Sequence, residues 1–414
     1  MMNPVFEKAK TAGRAILQLS YGQRNEALLS VAFSLERNAR ALLDANAEDL
    51  SLMDKSNPLF DRLKLTEERI AAIASDMRNV ASLPDPLGVI LEDRTLPNRL
   101  RLRKVSVPFG VIGIICEARP NVTFDVFSLC FKSGSACILK GGHDAERSNM
   151  AALAIIREGL AESGVDNNVF TLLPSTHEAA LELMEAVGYV DLVIPRGGRR
   201  LIDFVRNNTK VPCIETGAGV VHAYFDSTAD IVKGTAIINN AKTRRVSVCN
   251  ALDCLIVHSS RLEELPALCR PLSDSGVEIR ADERSFESLS GKYPSNLLTH
   301  SVPEDYGTEF MSYRMAVKTV DSVEEAVEHI SRYGSGHSEC IITEDEHSAE
   351  YFRLTVDAAC VYVNAPTSFT DGAQFGLGAE IGISTQKLGA RGPMGLKEIT
   401  TYKWLIDGSG QVRE

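Results

Sequence analysis

Between residues 108 and 208 short apolar runs alternate with longer segments of helical periodicity, and this alternation most constrains the fold. Strands are predicted at 111–116, 136–140, 169–173 and 190–194, and helices at 122–132, 145–163, 178–187 and up to 207. Consecutive parallel strands need a helical crossover, so the pattern predicts a mostly parallel sheet with helices on both faces. Ligands of such sheets lie at the carboxyl ends of the strands.

A second alternating series follows Cys249. Its strands are predicted at 252–258, 316–320, 340–343 and 360–363, and its helices at 262–272, 323–331 and 348–354. Ahead of the first series, residues 4–83 show helical periodicity, and residues 96–107 alternate like an exposed strand or hairpin. The strand-like tail 399–406 could pair with 96–107 of the same chain or of a neighbouring subunit.

Composition excludes several classes of function. The chain has 414 residues, enough for two or three domains, and its net charge of −11 disfavours binding to nucleic acid or acidic membranes. No apolar run could span a bilayer, and residues 1–14 lack the apolar region of a signal peptide, which predicts a cytoplasmic protein. The nine cysteines show no CxxC pair, which predicts reduced thiols, and no His/Cys cluster has the spacing of a metal site.

Cys249 follows a basic run that contains Lys242, Arg244 and Arg245, and it precedes an apolar strand. Nearby cations favour the thiolate, the nucleophilic form of cysteine, and they would attract an anionic substrate. The alternative is a buried, inert cysteine beside a solvated charge run. The basic surroundings make Cys249 the candidate nucleophile.

Two glycine turns that follow predicted strands are candidate phosphate sites. Gly141 and Gly142 open a helix directly after Lys140, where free backbone N–H groups suit a phosphate. The second turn, residues 196–198, is rich in guanidinium groups, and we expect the two turns to end neighbouring strands. The chain has no G-x-G-x-x-G fingerprint, and glycines that serve only packing are the alternative.

Asn121 and Glu215 each have two possible roles. The Asn121 amide could stabilise an oxyanion, but asparagine is also a favoured helix N-cap, and the local pattern favours the cap. Glu215 ends an apolar segment and could be a general base or merely a turn residue.

The order Asn121, Lys140, Glu215 and Cys249 resembles the aldehyde dehydrogenase superfamily and, within it, the gamma-glutamyl phosphate reductase family over almost the whole chain. The segments that carry the resemblance are Val-Pro-Phe-Gly-Val-Ile-Gly at 107–113, Glu-Ala-Arg-Pro-Asn-Val-Thr at 117–123, Ile-Pro-Arg-Gly at 194–197, Ala-Lys-Thr at 241–243, Cys-Asn-Ala at 249–251, Gln-Phe-Gly-Leu-Gly-Ala-Glu at 374–380 and Ala-Arg-Gly-Pro-Met-Gly-Leu at 390–396.

The resemblance implies an α/β, aldehyde dehydrogenase-like fold. A Rossmann-type cofactor-binding domain is expected at 1–238, an α/β catalytic domain at 239–372 and a return to the cofactor domain at 373–414. Residues 94–107 and the C-terminal strand would form an oligomerisation β-hairpin, so a homo-oligomer is expected.

The implied activity is NADPH-dependent reduction of L-glutamyl 5-phosphate to L-glutamate 5-semialdehyde, the second step of proline biosynthesis from glutamate. A transient contact with glutamate 5-kinase, which makes the substrate, is also expected. Because no carboxylate stands between Lys140 and Asp144, the turn favours NADPH over NADH.

The resemblance assigns roles to individual residues. Cys249 is the expected nucleophile and Asn121 the expected oxyanion donor. The expected substrate-binding residues are Arg119, Lys242, Arg244 and Arg245. The expected cofactor-binding residues are Lys140, Gly141, Gly142, His143, Pro195, Arg196, Gly197, Gly198, Glu215 and Glu309.

One departure from the family pattern precedes the cysteine. The family usually has Lys-Thr-Gln-Arg-Pro, whereas this chain has Lys-Thr-Arg-Arg-Val at 242–246. Loss of the proline releases a fixed φ, so a more mobile loop is expected. Two alternative functions stay open: a hydrolytic NAD(P)-dependent aldehyde dehydrogenase in which Glu215 activates water, and a nucleotide-binding scaffold. A scaffold would need neither Cys249 nor Asn121.

Overall fold

The computed structural model describes residues 4–55, 57, 60–117 and 119–413, so residue 118 of the 117–123 motif lies outside the described residues. The helices are α1 (Pro4–Ile16), α2 (Tyr21–Arg37), α3 (Ala39–Ser51), α4 (Phe60–Leu63), α5 (Glu67–Ser82), α6 (Pro120–Lys132), α7 (Glu146–Glu162), α8 (His177–Glu185), α9 (Arg199–Asn208), α10 (Ile231–Thr243), α11 (Leu265–Leu268), α12 (Arg270–Asp274), α13 (Glu283–Leu289), α14 (Val323–Tyr333) and α15 (Glu346–Thr355). Among the described residues, no helix is long and apolar enough to cross a membrane.

The strands form four sheets. They are β1 (Ile90–Thr95), β2 (Arg101–Pro108), β3 (Val111–Cys116), β4 (Ala136–Lys140), β5 (Phe170–Leu173), β6 (Leu192–Arg196), β7 (His222–Phe225), β8 (Cys254–His258), β9 (Glu278–Ala281), β10 (Leu298–His300), β11 (Arg314–Val320), β12 (Ser338–Ile342), β13 (Cys360–Val363), β14 (Ile383–Ser384), β15 (Gly392–Pro393) and β16 (Thr400–Asp407). Strands β14 and β15 pair with each other, and Ser384 of β14 also forms an isolated bridge to Thr216.

The first sheet confirms the predicted parallel series. Its strand order is β5-β4-β3-β6, with parallel pairing throughout. All six residues of β3 are buried, because helices cover both faces of the sheet. The prediction that the turns after β4 and β6 end neighbouring strands is wrong, because β3 lies between these two strands. They lie on either side of β3, whose carboxyl end therefore stands between them.

The second sheet is parallel, and its strand order is β10-β9-β11-β8-β7-β12-β13. Strands β7, β9 and β10 were not predicted, since runs of three or four residues show no clear periodicity. Strand β7 pairs with β8 and β12, so residues 222–225 belong to the second sheet. The predicted domain boundary after residue 238 is therefore too late, and we place it ahead of β7.

A third sheet of order β1-β2-β16 is antiparallel. Strand β16 pairs with β2 of the same chain, from Thr400 opposite Pro108 to Asp407 opposite Arg101. This confirms the predicted pairing of the C-terminal tail within the chain. Strand β1, which was predicted only from residue 94 onward, adds the remaining strand.

The N-terminal helices pack against the first sheet's own helices. Helix α2 begins at a capping box in which the Ser20 hydroxyl accepts from the Gln23 N–H, and α5 begins at the Thr66 N-cap. The buried face of α5 carries Ile70, Ile73 and Met77. This packing places α4 and the N-terminal half of α5 beside Arg119 and Asn121, which follow the carboxyl end of β3.

Candidate active site

Cys249 lies in the loop that connects α10 to β8. The neighbouring Asn250 anchors this loop, because its Nδ2 donates to the Thr370 carbonyl at 2.9 Å and its own carbonyl accepts from the Thr367 hydroxyl at 2.9 Å. Asn250 is 5% exposed. The loop is thus fixed to residues more than a hundred positions later in the chain.

Gly219 passes directly against the backbone of Cys249. A Cβ at Gly219 would lie 1.6 Å from the Cys249 carbonyl oxygen, a distance that no side chain can occupy. The glycine is therefore required for close backbone approach. In the sequence it was visible only as a second glycine after Glu215.

The site forms where the edges of two sheets meet. Arg196 is the last residue of β6, and Arg119 and Asn121 follow the carboxyl end of β3. Cys249 instead precedes the amino end of β8, yet the charge of Arg196 lowers its pKa. The candidate nucleophile therefore faces the carboxyl edge of the first sheet, where ligands of such sheets lie.

The Cys249 thiol is protonated at neutral pH in this structure. Burial, and after it the carboxylates of Glu380 and Glu309, raise the pKa of this thiol to about 12, against the opposing charge of Arg196. The expectation that the basic run 242–245 favours the thiolate is wrong for this state. Desolvation and two nearby carboxylates outweigh the cations.

Glu309 and Glu380 both accept backbone hydrogen bonds near the cysteine. The Gly219 N–H donates to Glu309 Oε1 at 3.2 Å, and the Gly372 N–H donates to Glu380 Oε2 at 2.8 Å. Burial raises the pKa of each carboxyl. Glu309 thus lies beside Cys249, whereas Glu380 had been noted only as part of the 374–380 segment.

Lys242 does not reach the cleft. It is fully buried, and its Nζ lies 4.0 Å from Asp253 Oδ1. Burial lowers the pKa of Lys242 to about 8 and raises that of Asp253 to about 7. Since a ligand cannot contact a fully buried ammonium, the expected direct substrate contact is corrected: Lys242 lies beneath the cysteine loop.

The two arginines of the basic run differ in position. Arg244 is exposed at the C-cap of α10, where its backbone N–H bonds the Asn240 carbonyl. Arg245 is also exposed, but it lines a cavity of about 350 Å³ together with Arg119 and Asn121. The same cavity reaches Ser247 and Val248, next to the nucleophile.

Asn121 is not the N-cap that its local pattern favoured. The N-cap of α6 is Arg119, with Pro120 in the first turn. The Asn121 Nδ2 instead donates to Asp125 Oδ2, one turn later, at 3.1 Å. An amide NH₂ carries two donors, so one hydrogen stays available to the cavity.

The turn after β4 supplies the expected cofactor side of the site. Gly141 and Gly142 line a cavity of about 300 Å³ that also contacts β5 and Ser175. Burial lowers the pKa of Lys140, the last residue of β4. His143 is exposed, with its Nδ1 3.4 Å from the Ser175 hydroxyl. A cavity lined by glycine backbone beside a cation is suited to the phosphates of a dinucleotide.

The turn after β6 is largely occupied by the protein itself. Pro195 accepts from the Thr216 hydroxyl at 2.8 Å, and Arg196 donates to the Ile381 carbonyl. The Gly198 N–H donates to Glu117 Oε1 at 3.1 Å, and a Cβ at Gly197 would lie 2.6 Å from the same carboxyl. The lack of side chains at Gly197 and Gly198 thus leaves room for the carboxyl group of Glu117.

Glu215 points away from Cys249. Its Oε2 lies 3.4 Å from Arg206 Nη1, in a separate cavity of about 410 Å³. The carboxylates that raise the pKa of Cys249 are Glu380 and Glu309. The ion pair with Arg206 leaves Glu215 poorly placed to activate water at the cysteine.

A buried polar cluster lies outside this site. His222, Cys254 and His329 lie on β7, β8 and α14. Each offers one side-chain atom that could bind a metal ion, and these three atoms lie within 4.8 Å of one another. His222 Nδ1 lies 3.1 Å from Glu339 Oε2. Sequence spacing could not show this cluster, since its members come from three separate elements.

No protein-family model matches the chain. The chain is 58% identical over 412 residues to the gamma-glutamyl phosphate reductase of Bacteroides thetaiotaomicron, covering 100% of this chain and 99% of that one. It is 59% identical over 409 residues to that of Chlorobium luteolum, covering 99% and 97%. The chain belongs to the gamma-glutamyl phosphate reductase family. The crystal structure of the Thermotoga maritima family member superposes with a TM-score of 0.95 at 40% identity and covers 99% of both chains.

More distant structures agree on the fold of this reductase-family chain. An acetylating aldehyde dehydrogenase from Geobacillus thermoglucosidasius superposes with a TM-score of 0.71 at 19% identity, over 99% of this chain and 97% of that one. An engineered glycolyl-CoA reductase with bound NADP⁺ superposes with a TM-score of 0.69 at 16% identity, over 97% and 95%. The predicted aldehyde dehydrogenase-like fold is confirmed.

Proposed function

We propose that the chain catalyses NADPH-dependent reduction of L-glutamyl 5-phosphate to L-glutamate 5-semialdehyde and phosphate, the second step of proline biosynthesis from glutamate. Family membership supports this substrate. The observation that carries the proposal is the position of Cys249, next to a cavity lined by Arg119, Asn121 and Arg245. That cavity combines an oxyanion donor with cations suited to an acyl phosphate.

The proposed chemistry begins with attack of the Cys249 sulfur on the acyl carbon. The sulfur loses its proton, the bond from carbon to the phosphate oxygen breaks, and phosphate leaves with the electron pair. The free Asn121 N–H stabilises the oxyanion, while Arg119 and Arg245 neutralise the leaving phosphate. Once the thioester is reduced, the carbon–sulfur bond of the hemithioacetal breaks, the aldehyde leaves and the sulfur regains a proton.

The residues of the β4 turn fit a dinucleotide. Lys140, Gly141, Gly142 and His143 would hold its adenosine and phosphate part, and Glu309, which lies beside Cys249, would hold the ribose next to the nicotinamide. Bound NADPH would supply hydride to the acyl carbon. The engineered glycolyl-CoA reductase, which has the same fold, binds NADP⁺, and this supports the choice of a nicotinamide dinucleotide.

The preference for NADPH over NADH rests on the same turn. Glu146, its nearest lining carboxylate, accepts from the Ser175 hydroxyl at 2.8 Å, so its charge is partly satisfied. We expect kcat/KM for NADPH to exceed that for NADH by at least about 10-fold. Comparable values for the two cofactors would contradict the assignment.

The alternative, a hydrolytic dehydrogenase, is tested by running the reaction backwards. With glutamate semialdehyde and NADP⁺, turnover should require inorganic phosphate or arsenate, because Arg119 and Arg245 give the cavity beside Cys249 cations suited to phosphate, while Glu215, the predicted base, pairs with Arg206. Arg245→Ala should raise KM for phosphate about 10-fold by removing a charge-assisted contact. Arg244→Ala, which removes an equal charge outside the cavity, is the matched control. Full-rate NADPH formation without phosphate, with free glutamate as product, would establish the hydrolytic reaction.

The sheet of β1, β2 and β16 is the proposed oligomerisation surface. Its exposed apolar side chains include Ile90, Tyr402, Trp404 and Ile406, and contiguous exposed apolar residues are typical of interaction surfaces. A second copy of the chain is the proposed occupant. Sedimentation of Ile406→Lys should show a smaller assembly than wild type. Contact with glutamate 5-kinase and a cytoplasmic location remain predictions.

A further inference from the structure

The cavity beside Cys249 has walls from the N-terminal helices that no motif pointed to. Arg62 and Lys64, at the end of α4, and Asp76, on α5, line it together with Arg119 and Asn121. These residues are separated from the cysteine by more than 170 positions in the sequence. The helical segment therefore contributes directly to the ligand space.

The cavity contains more free positive charge than its own carboxylates neutralise. Arg69 pairs with Asp61 at 2.9 Å and also donates to the Asp61 and Lys64 carbonyls, so it fastens α4 to α5. Within the described part of the chain, Arg62, Arg119 and Arg245 form no such ion pair. Three unpaired guanidinium groups around one cavity repel each other and favour anionic groups on a ligand.

Arg62 acts close to the reaction centre. Its charge lowers the pKa of Arg119, behind the larger effect of burial, and also that of Glu309. Both residues also interact electrostatically with Cys249. Arg62 also lines the same cavity as Arg119 and Val248, the residue before Cys249, so one ligand can reach both Arg62 and the sulfur.

The carboxylates of the cavity favour a cationic group. Burial, with a smaller contribution from the neighbouring charge of Asp76, raises the pKa of Asp125 to about 6, against the opposing charge of Arg196. Asp125 also accepts from Asn121. A ligand ammonium between the two carboxylates would relieve their repulsion and allow both to ionise.

We propose that this part of the cavity is a recognition site for the head group of an α-amino acid, in which Arg62 binds the α-carboxylate and Asp76 with Asp125 binds the α-ammonium. The proposal rests on the proposed function, because it fixes the far end of the same acyl phosphate. It also gives the unpaired charges of the helical segment a role in substrate selection.

The test compares three aldehydes in the reverse reaction with NADP⁺ and phosphate: L-glutamate 5-semialdehyde, 5-oxopentanoate, which lacks the amino group, and butanal, which lacks both groups. Arg62→Gln should lower kcat/KM about 10- to 100-fold for the first two and leave butanal unchanged. Asp76→Asn should lower it only for glutamate semialdehyde. Arg40→Gln and Glu68→Gln, exposed residues of α3 and α5 outside the cavity, are the matched controls.

The outcomes separate this inference from the proposed function. A loss in Arg62→Gln that is equal for all three aldehydes would overturn the head-group site, since a missing carboxylate cannot be contacted. Wild type that shows no phosphate-dependent turnover of glutamate semialdehyde would instead overturn the proposed function.

A second measurement does not require turnover, so it can test the same contact with analogues that react slowly. Occupancy of the cavity should slow alkylation of Cys249 by iodoacetamide, with L-glutamate, glutarate and butyrate as the protecting ligands. Arg62→Gln should weaken protection by glutamate and glutarate but not by butyrate. Equal weakening for all three ligands would again exclude Arg62 as the carboxylate contact.

Discussion

At the scale of single residues, Cys249 is held as a neutral thiol by burial and by Glu309 and Glu380. A protonated thiol is a poor nucleophile and also resists oxidation and alkylation. The carboxylates thus outweigh the effect of the arginines at the edge of the first sheet on the pKa of Cys249. As a result, only a small fraction of Cys249 is thiolate when no ligand is bound.

The first prediction concerns this protonation. With a pKa of about 12 for Cys249, its alkylation rate should rise about 10-fold per pH unit from pH 7 to 10, without a plateau, because the thiolate fraction rises in that proportion. Glu380→Gln should increase the rate at pH 8, and Arg244→Gln should not change it. A plateau near pH 7 would mean that the basic run does activate the thiol.

The second prediction concerns the nucleophile itself. Cys249→Ala should abolish turnover while leaving unfolding and cofactor binding unchanged, because it deletes the attacking atom. Cys213→Ala is the control, since Cys249 and Cys213 are the two cysteines that are only partly buried. Steady-state rates and cofactor titration measure both variants. Near wild-type activity of Cys249→Ala would exclude a thioester.

At the scale of elements, the cysteine loop depends on the segment that leads into β7. Gly219→Ala should lower kcat at least about 100-fold, because its methyl group would overlap the Cys249 carbonyl and displace the nucleophile. Gly22→Ala, in α2, has only Ser20 Oγ at 3.9 Å and is the control. Steady-state rates of both variants measure the effect on kcat, and circular dichroism verifies that each variant is folded. Unchanged kcat in a folded Gly219→Ala would refute the close approach.

At the scale of the whole molecule, buried histidines couple folding to pH. Burial lowers the pKa of His337 to about 4 and that of His329 to about 3. An unfolded histidine titrates near pH 6.5, so between pH 6.5 and 4 the unfolded chain binds more protons. The histidine contribution to stability is complete above about pH 6.5 and is lost as pH falls. Buried carboxyls with raised pKa, such as Asp125, act in the opposite direction.

The fourth prediction therefore compares two proteins rather than one pH curve. His337→Asn should be less stable than wild type at pH 7, and this deficit should shrink as pH falls to 4.5, by up to about 1.4 kcal/mol per pH unit. Urea unfolding measures the difference, with the exposed His143→Asn as control. A deficit independent of pH would show that His337 is not a buried neutral group.

The sequence by itself determined the first sheet, its covering helices and the cysteine loop, because periodicity and turn residues are local signals. Strand β7 was not predicted because its four residues show little periodicity, and its position in the sheet depends on pairing with β8 and β12. The roles of charged residues were also decided by tertiary structure. Lys242 and Glu215 turned to Asp253 and Arg206, while Arg62 and Glu380 approached the cysteine from distant segments. The burial and the charged neighbours of a side chain depend on which segments folding brings together. Separation along the chain does not show which segments these are.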